Sequence, residues 1–252
     1  MSSDKRRYLY NNFADLPVFD QEGNMADSLS GQAAISGLSE FISSSVLGTH
    51  GGTKSELLKF IGITSKMNSF LKALILETDK RKFSKILNKI RQYEEITDRI
   101  EDEVSEYLTK VNETVSTQKT NEEIKSILSI INDLESIGDI YYSLSKLLER
   151  KSENKIYFVP NQRNNIIEMI NKVENLFNLL KNYINNTNER SSKIIKTEKN
   201  NFKKFHNGLK KNHLMNISNS QYSIKSGVIY SDILSGMENV TSHIIEVKNS
   251  ID

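Results

Sequence analysis

The 252-residue chain has no cysteine, no tryptophan and only two prolines. Without cysteine there are no disulfides and no thiolate metal sites, which agrees with a reducing cytoplasm. Proline breaks helices and punctuates β folds, so its scarcity favours long uninterrupted helices. No run approaches the roughly 18 consecutive apolar residues of a membrane-spanning helix, so none is expected. Met1 to Arg7 is polar and basic, but no apolar stretch follows, so no signal peptide is expected either. A charge excess is also missing. The 34 basic and 32 acidic residues leave a net +2, which gives no bulk electrostatic case for nucleic acid. Gly51-Gly52-Thr53-Lys54-Ser55 lacks the upstream glycine and the Gly-Lys pair of a phosphate-binding loop. No nucleophile elbow or Ser/His/Asp arrangement is readable.

What is present fits amphipathic helices. Mean hydropathy is −0.49, as in bundles where each helix buries one stripe. Residues 1–26 carry turn signals at Asn11-Asn12, Pro17 and Gly23-Asn24. A helix is possible over 27–47, with Leu29, Ala33, Leu38, Ile42 and Val46 on one side. After the break at Gly48 to Gly52 the helical period is strong. Helices are predicted over about 54–78, 81–115 and 120–150, the third with Thr120 as N-cap and Glu122 and Glu123 in its first turn. A linker over 151–160 ends in Pro160. Three more helices follow, over about 161–186, 190–214 and 221–250, with turns near Asn185 and at Asn216 to Ser220. This pattern predicts an all-α fold of two tandem antiparallel three-helix bundles. Residues 1–52 form a connector, 53–155 the first bundle and 156–252 the second.

The second half looks like a copy of the first. Leu134-Glu135-Ser136-Ile137-Gly138-Asp139 resembles Met237-Glu238-Asn239-Val240-Thr241-Ser242 at an offset of 103 residues. Glu94 matches Glu198 at an offset of 104. Two elements at nearly one offset indicate a repeat of about one hundred residues.

The second helix carries the most informative pattern. Its heptad stripe reads Phe83, Leu87 and Ile90, then Glu94, Thr97 and Glu101, then Val104, Leu108 and Val111, so carboxylates interrupt its middle third. Glu94 and Asp98 are four apart and share a face, where like charges repel unless neutralised. Glu135 and Asp139 repeat this spacing in the third helix. If the two helices are antiparallel neighbours, the four carboxylates form a hard oxygen cage suited to a divalent or trivalent cation. Gly138, between the second pair, costs about 1 kcal/mol against alanine in a helix, and close helix approach would explain it. The bland alternative is a solvated acidic face, since seven acids lie between Glu94 and Glu106 against Arg91 and Arg99.

These motifs resemble those of PhoU-like domains. Glu94-Glu95-Ile96-Thr97-Asp98 resembles the family's first motif, and Leu134 to Asp139 resembles its "LERIGD" signature. Ser226 to Leu234, with Met237-Glu238 and Ser242-His243, is similar to the closing helix of versions attached to sodium/phosphate cotransporters. The resemblance spans about 54–250. It implies a non-enzymatic regulator of phosphate transport or signalling. The implied location is the cytoplasm at the inner face of the membrane. Its partner would be a membrane transporter domain, in cis or in trans, with homodimerisation a further expectation and nucleic acid excluded. It also implies a metal site at Glu94, Asp98, Glu135 and Asp139, with iron, zinc or magnesium as the ion. In the second repeat Glu198 is followed by Phe202 and Glu238 by Ser242, so no multinuclear cluster is expected there. The alternatives are a free-standing adaptor in phosphate signalling and a carboxylate metalloprotein. The latter usually needs Glu-x-x-His pairs, which are absent from the helices.

The four histidines, His50, His206, His213 and His243, lack HExxH spacing. His206 and His213 are read as surface residues, and His243 as a packing or hydrogen-bonding residue. Lys193, Lys196, Lys199, Lys203, Lys204, Lys210 and Lys211 make the fifth helix basic, read as a solvated face with a membrane- or partner-facing role as the alternative.

Overall fold

The computed structural model describes residues 18–19, 25–26, 53–114 and 118–252. The helix expected over 27–47 lies outside them. Ahead of the helices, β1 (Val18–Phe19) and β2 (Met25–Ala26) form a two-residue antiparallel ladder with Val18 opposite Ala26. Six helices make up the rest, and the fold is all-α as predicted. They are α1 (Thr53–Leu76), α2 (Lys80–Thr114), α3 (Gln118–Glu153), α4 (Pro160–Asn185), α5 (Glu189–Ser218) and α6 (Ile224–Ile251).

Local chemistry sets most of the ends. Asp79 Oδ1 accepts from the Lys82 amide at 2.9 Å, and Glu77 Oε1 accepts from the Thr78 and Asp79 amides at 2.8 Å, which caps α2. Pro160 opens α4, where its fixed φ suits the first turn and its missing N–H costs nothing. The side chains of Asn188 and Ser223 cap α5 and α6. Lys155 (φ 54°) and Ser220 (φ 55°) turn the chain after α3 and α5 through the left-handed region. Two boundaries differ from expectation. The third helix starts at Gln118, so Thr120 lies inside it rather than capping it. The fifth continues to Ser218 through the stretch read as a turn, because Ile217 packs against α6. A Cβ on Gly227 would sit 2.8 Å from Ile217 Cδ1.

Each of α1, α2 and α3 packs on the other two, and α4, α5 and α6 do the same. The bundles join through α1 against α4 and α3 against α6, and the larger apolar core runs through both. A buried relay crosses the join. Tyr141 Oη donates to Asn68 Oδ1 at 3.0 Å, and Asn68 Nδ2 donates to the Ile170 carbonyl at 3.2 Å.

Burial fixes the register of the two halves. Ile127, Leu134, Ile137 and Tyr141 in α3 are buried, as are Tyr230, Met237, Val240 and Ile244 in α6, each 103 residues later. For the outer helices the interval is 105. Ile90, Thr97, Val104 and Leu108 correspond to Ile195, Phe202, Leu209 and His213. The match of Glu94 with Glu198 is therefore one residue out of phase, and Lys199 occupies the equivalent place. Residue identity suggested the wrong register, whereas the buried face sets the helix rotation.

The interrupted stripe of α2 also needs correction. Tyr93, Ile96 and Ile100 carry the core unbroken from Ile90 to Val104, while Glu94 and Glu101 sit half-buried at its margin. A straight helix of 3.6 residues per turn drifts away from a strict heptad, so the buried line slides past the seven-residue positions.

Candidate functional site

The site forms at a close crossing of α2 and α3. A Cβ on Gly138 would lie 2.5 Å from Thr97 Oγ1, so only glycine fits this crossing without displacing its neighbour. Thr97 is fully buried, and its hydroxyl donates to the Glu94 carbonyl at 2.8 Å. The close approach that the mid-helix glycine implied is therefore present, and it brings the acidic faces of both helices together.

Glu94 and Asp98 from α2 and Asp139 from α3 each offer a carboxylate oxygen, all within 4.8 Å of one another. Glu94 and Asp98 are half-buried and Asp139 is exposed. The fourth expected ligand, Glu135, falls outside this group. It is half-buried beside Asp139, and Ser136 Oγ donates to its Oε2 at 3.3 Å.

Electrostatics record the crowding. Burial, reinforced by Asp98, Asp139, Glu95 and Glu135, pushes the Glu94 carboxyl up to about 7. Burial and then Asp139 push Glu135 up to about 6. Asp98 is raised by burial and then by Asp139. The arginines of this stretch serve other acids. Arg91 reaches Glu95 at 3.7 Å, and Arg99 acts on Glu103. Asp98 Oδ1 is buried without a hydrogen-bond partner. Such a cluster must share protons or hold a cation. The donor set fits a hard cation, which binds carboxylate oxygens at about 2.0–2.6 Å and can therefore bridge the observed spread. A set made only of carboxylates suits magnesium, calcium or manganese best.

The second bundle has no counterpart. Lys199 and Lys203 stand where Glu94 and Asp98 do, with Glu238 and Ser242 at the positions of Glu135 and Asp139. Among the described residues, Glu94, Asp98 and Asp139 are the one group of three with metal-ligand spacing, and it contains no histidine.

Two histidines contradict the surface reading. His206 is fully buried, stacked on Phe202 with ring centroids 6.3 Å apart, and its Nδ1 lies 3.5 Å from Glu238 Oε1. Neither of its ring nitrogens has a hydrogen-bond partner, and burial lowers its pKa. His213 is buried as well, with its Nδ1 2.6 Å from Tyr222 Oη. The signal was available, because Phe202, His206, Leu209 and His213 recur at helical spacing. His243 has the hydrogen-bonding role expected of it, with Nδ1 2.8 Å from Asp133 Oδ1. His50 lies outside the described residues.

A family model described as the PhoU domain matches residues 58–148, from α1 through most of α3, and this stretch contains all four carboxylates. Searches of curated proteins and of solved structures found no match. The first bundle is thus similar to the PhoU domain over these residues.

Proposed function

We propose that this chain is a non-enzymatic regulatory domain of phosphate transport, and more narrowly the PhoU-like cytoplasmic part of a sodium/phosphate cotransporter-like protein. The observation that carries this reading is the coincidence of the PhoU domain match over 58–148 with the paired carboxylates inside it. The transporter domain it controls is joined in cis or met in trans at the inner face of the membrane. No described helix is long and apolar enough to cross a membrane, so the transporter domain is a separate unit from these helices. Glu94, Asp98 and Asp139 hold one hard cation, and Glu135 stands beside Asp139 outside the ligand set. The ion neutralises the crowded carboxylates and fixes α2 against α3.

Two experiments test this. Reconstituted transport should change when residues 54–252 are deleted, and unchanged transport would refute the regulatory role. Magnesium or manganese at about 100 times its dissociation constant should add about 2.7 kcal/mol, which is roughly 5–10 °C in Tm for a chain of this size. Asp98→Asn should abolish that gain, and a gain of the same size in the variant would remove Asp98 from the ligand set.

A further inference from the structure

One end of the molecule differs from the rest. It gathers the α1–α2, α3–α4 and α5–α6 turns. A groove of about 530 Å³ joins the first two, bounded by Leu76, Lys80, Phe83, Lys151, Tyr157 and Arg163. The third is tied to the start of α4, where Ser226 Oγ donates to Gln162 Oε1 at 2.8 Å and Asn165 Nδ2 donates to Tyr230 Oη at 3.1 Å.

Seven large hydrophobic side chains are well exposed among the described residues, and six of them lie at this end: Leu76, Tyr157, Leu214, Met215, Ile224 and Val228. The last four belong to the α5–α6 tip and are 48 % to 72 % exposed. Each lies within about one turn of that tip, roughly 6 Å along its helix. This is not a loose loop. His213 Nδ1 is 2.6 Å from Tyr222 Oη, their rings stack at 5.9 Å, and Gly227 admits Ile217 at a distance no Cβ would allow.

Along the α5–α6 tip the charge is of one sign. Residues 199–231 contain six lysines and no Asp or Glu. Lys210, Lys211 and Lys225 flank the apolar tip. Beside the groove, burial and then the nearby Arg163 lower the Lys151 ammonium. The acids of this end stand on the groove side, where Glu77, Glu149 and Glu153 are among the lining residues and Glu77 and Asp79 accept from backbone amides ahead of α2.

Aliphatic side chains collared by lysine are a poor match for a protein partner, since protein interfaces favour aromatic residues and arginine and are depleted in lysine. They match a lipid surface, where aliphatic groups enter the acyl boundary and lysines meet anionic headgroups. We propose that this end docks on an anionic lipid surface, with Leu214, Met215, Ile224 and Val228 inserted and Lys210, Lys211 and Lys225 on the headgroups. The proposal uses neither the carboxylate cluster nor the phosphate reading, so the transport experiment stands whichever way this one falls.

The test is co-sedimentation of the full 252-residue chain with vesicles. One set is phosphatidylcholine alone, and the other is an equal mixture with phosphatidylglycerol. The chain should pellet with the mixed vesicles, stay in solution with the neutral ones, and be released by salt. Lys210→Ala and Lys211→Ala should each lower the partition about fivefold. Leu214→Ser combined with Ile224→Ser should abolish it, with far-UV helicity unchanged. Should that double variant fail to fold, the lysine variants decide alone. Equal binding to neutral vesicles, no binding to mixed ones, or full binding by the lysine variants overturns the proposal. If vesicles do not bind and the same substitutions instead change the sedimentation velocity of the free chain, this end is a protein interface.

Discussion

Replacing Glu94 by glutamine should stabilise the metal-free protein at alkaline pH. The folded-state pKa of this carboxyl is raised from 4.5 to about 7, with burial as the main cause. The native state therefore binds the proton more tightly than the unfolded chain does. The contribution of Glu94 to stability is greatest below pH 4.5, where both states are protonated, and is lost as pH rises towards 7. At about 1.36 kcal/mol per unit the full shift is worth roughly 3 kcal/mol. Glu94 is only half-buried, and solvent screening reduces this to about 1–2 kcal/mol. Glutamine keeps the shape and removes the charge, so at pH 8 in chelator the variant should exceed the parent by that amount, or roughly 3–6 °C in Tm. Near pH 4.5 the two should converge. The difference between parent and variant isolates this group from the other titrating residues. Added magnesium should reverse the order at pH 8, because only the parent keeps the full ligand set. Urea denaturation at several pH values measures all of this. A variant equal to or weaker than the parent at pH 8 in chelator would refute the electrostatic account.

Two further predictions concern packing. Gly138→Ala gains about 1 kcal/mol of helix propensity but overpacks the crossing at a cost of about 1–3 kcal/mol, so the single variant should be destabilised by up to about 2 kcal/mol. In a Thr97→Ala background the same change should become neutral or stabilising, and simple additivity in the double-mutant cycle would show that the 2.5 Å contact does not govern this site. Tyr141→Phe leaves Asn68 Oδ1 buried without its donor. It should lower stability by about 1–2 kcal/mol in urea titrations, and an unchanged midpoint would show that the relay between the bundles contributes nothing.

The long helices were readable because their apolar residues recur with the helical period over many turns, with few glycines and prolines to obscure it. The meeting of Glu94 and Asp98 with Asp139 was readable too, since two i, i+4 pairs on neighbouring antiparallel helices have few ways to avoid each other. Other features depend on tertiary contacts that a linear pattern does not carry. The last turn of α5 persists because Ile217 rests on α6. The rotation of α5 is set by Phe202, Leu209 and the two buried histidines, whose polar rings disguise them as surface residues. Glu135 shares the spacing of a ligand, but it stands beside Asp139 and outside the three-oxygen group.

The contacts of α1 with α4 and of α3 with α6 have a consequence for how the halves can differ. Each half meets the other through the surfaces that two identical copies would use in a two-fold dimer. Residues 154–159 tether the halves, and a short tether holds them at an effective concentration on the order of millimolar, so no second molecule is needed to complete the core. In a homodimer every substitution appears twice, once in each subunit. In a tandem chain it appears once. One half can keep its carboxylates while the other replaces the matching positions with Lys199 and Lys203, and a fold built on symmetry can present two chemically opposite faces.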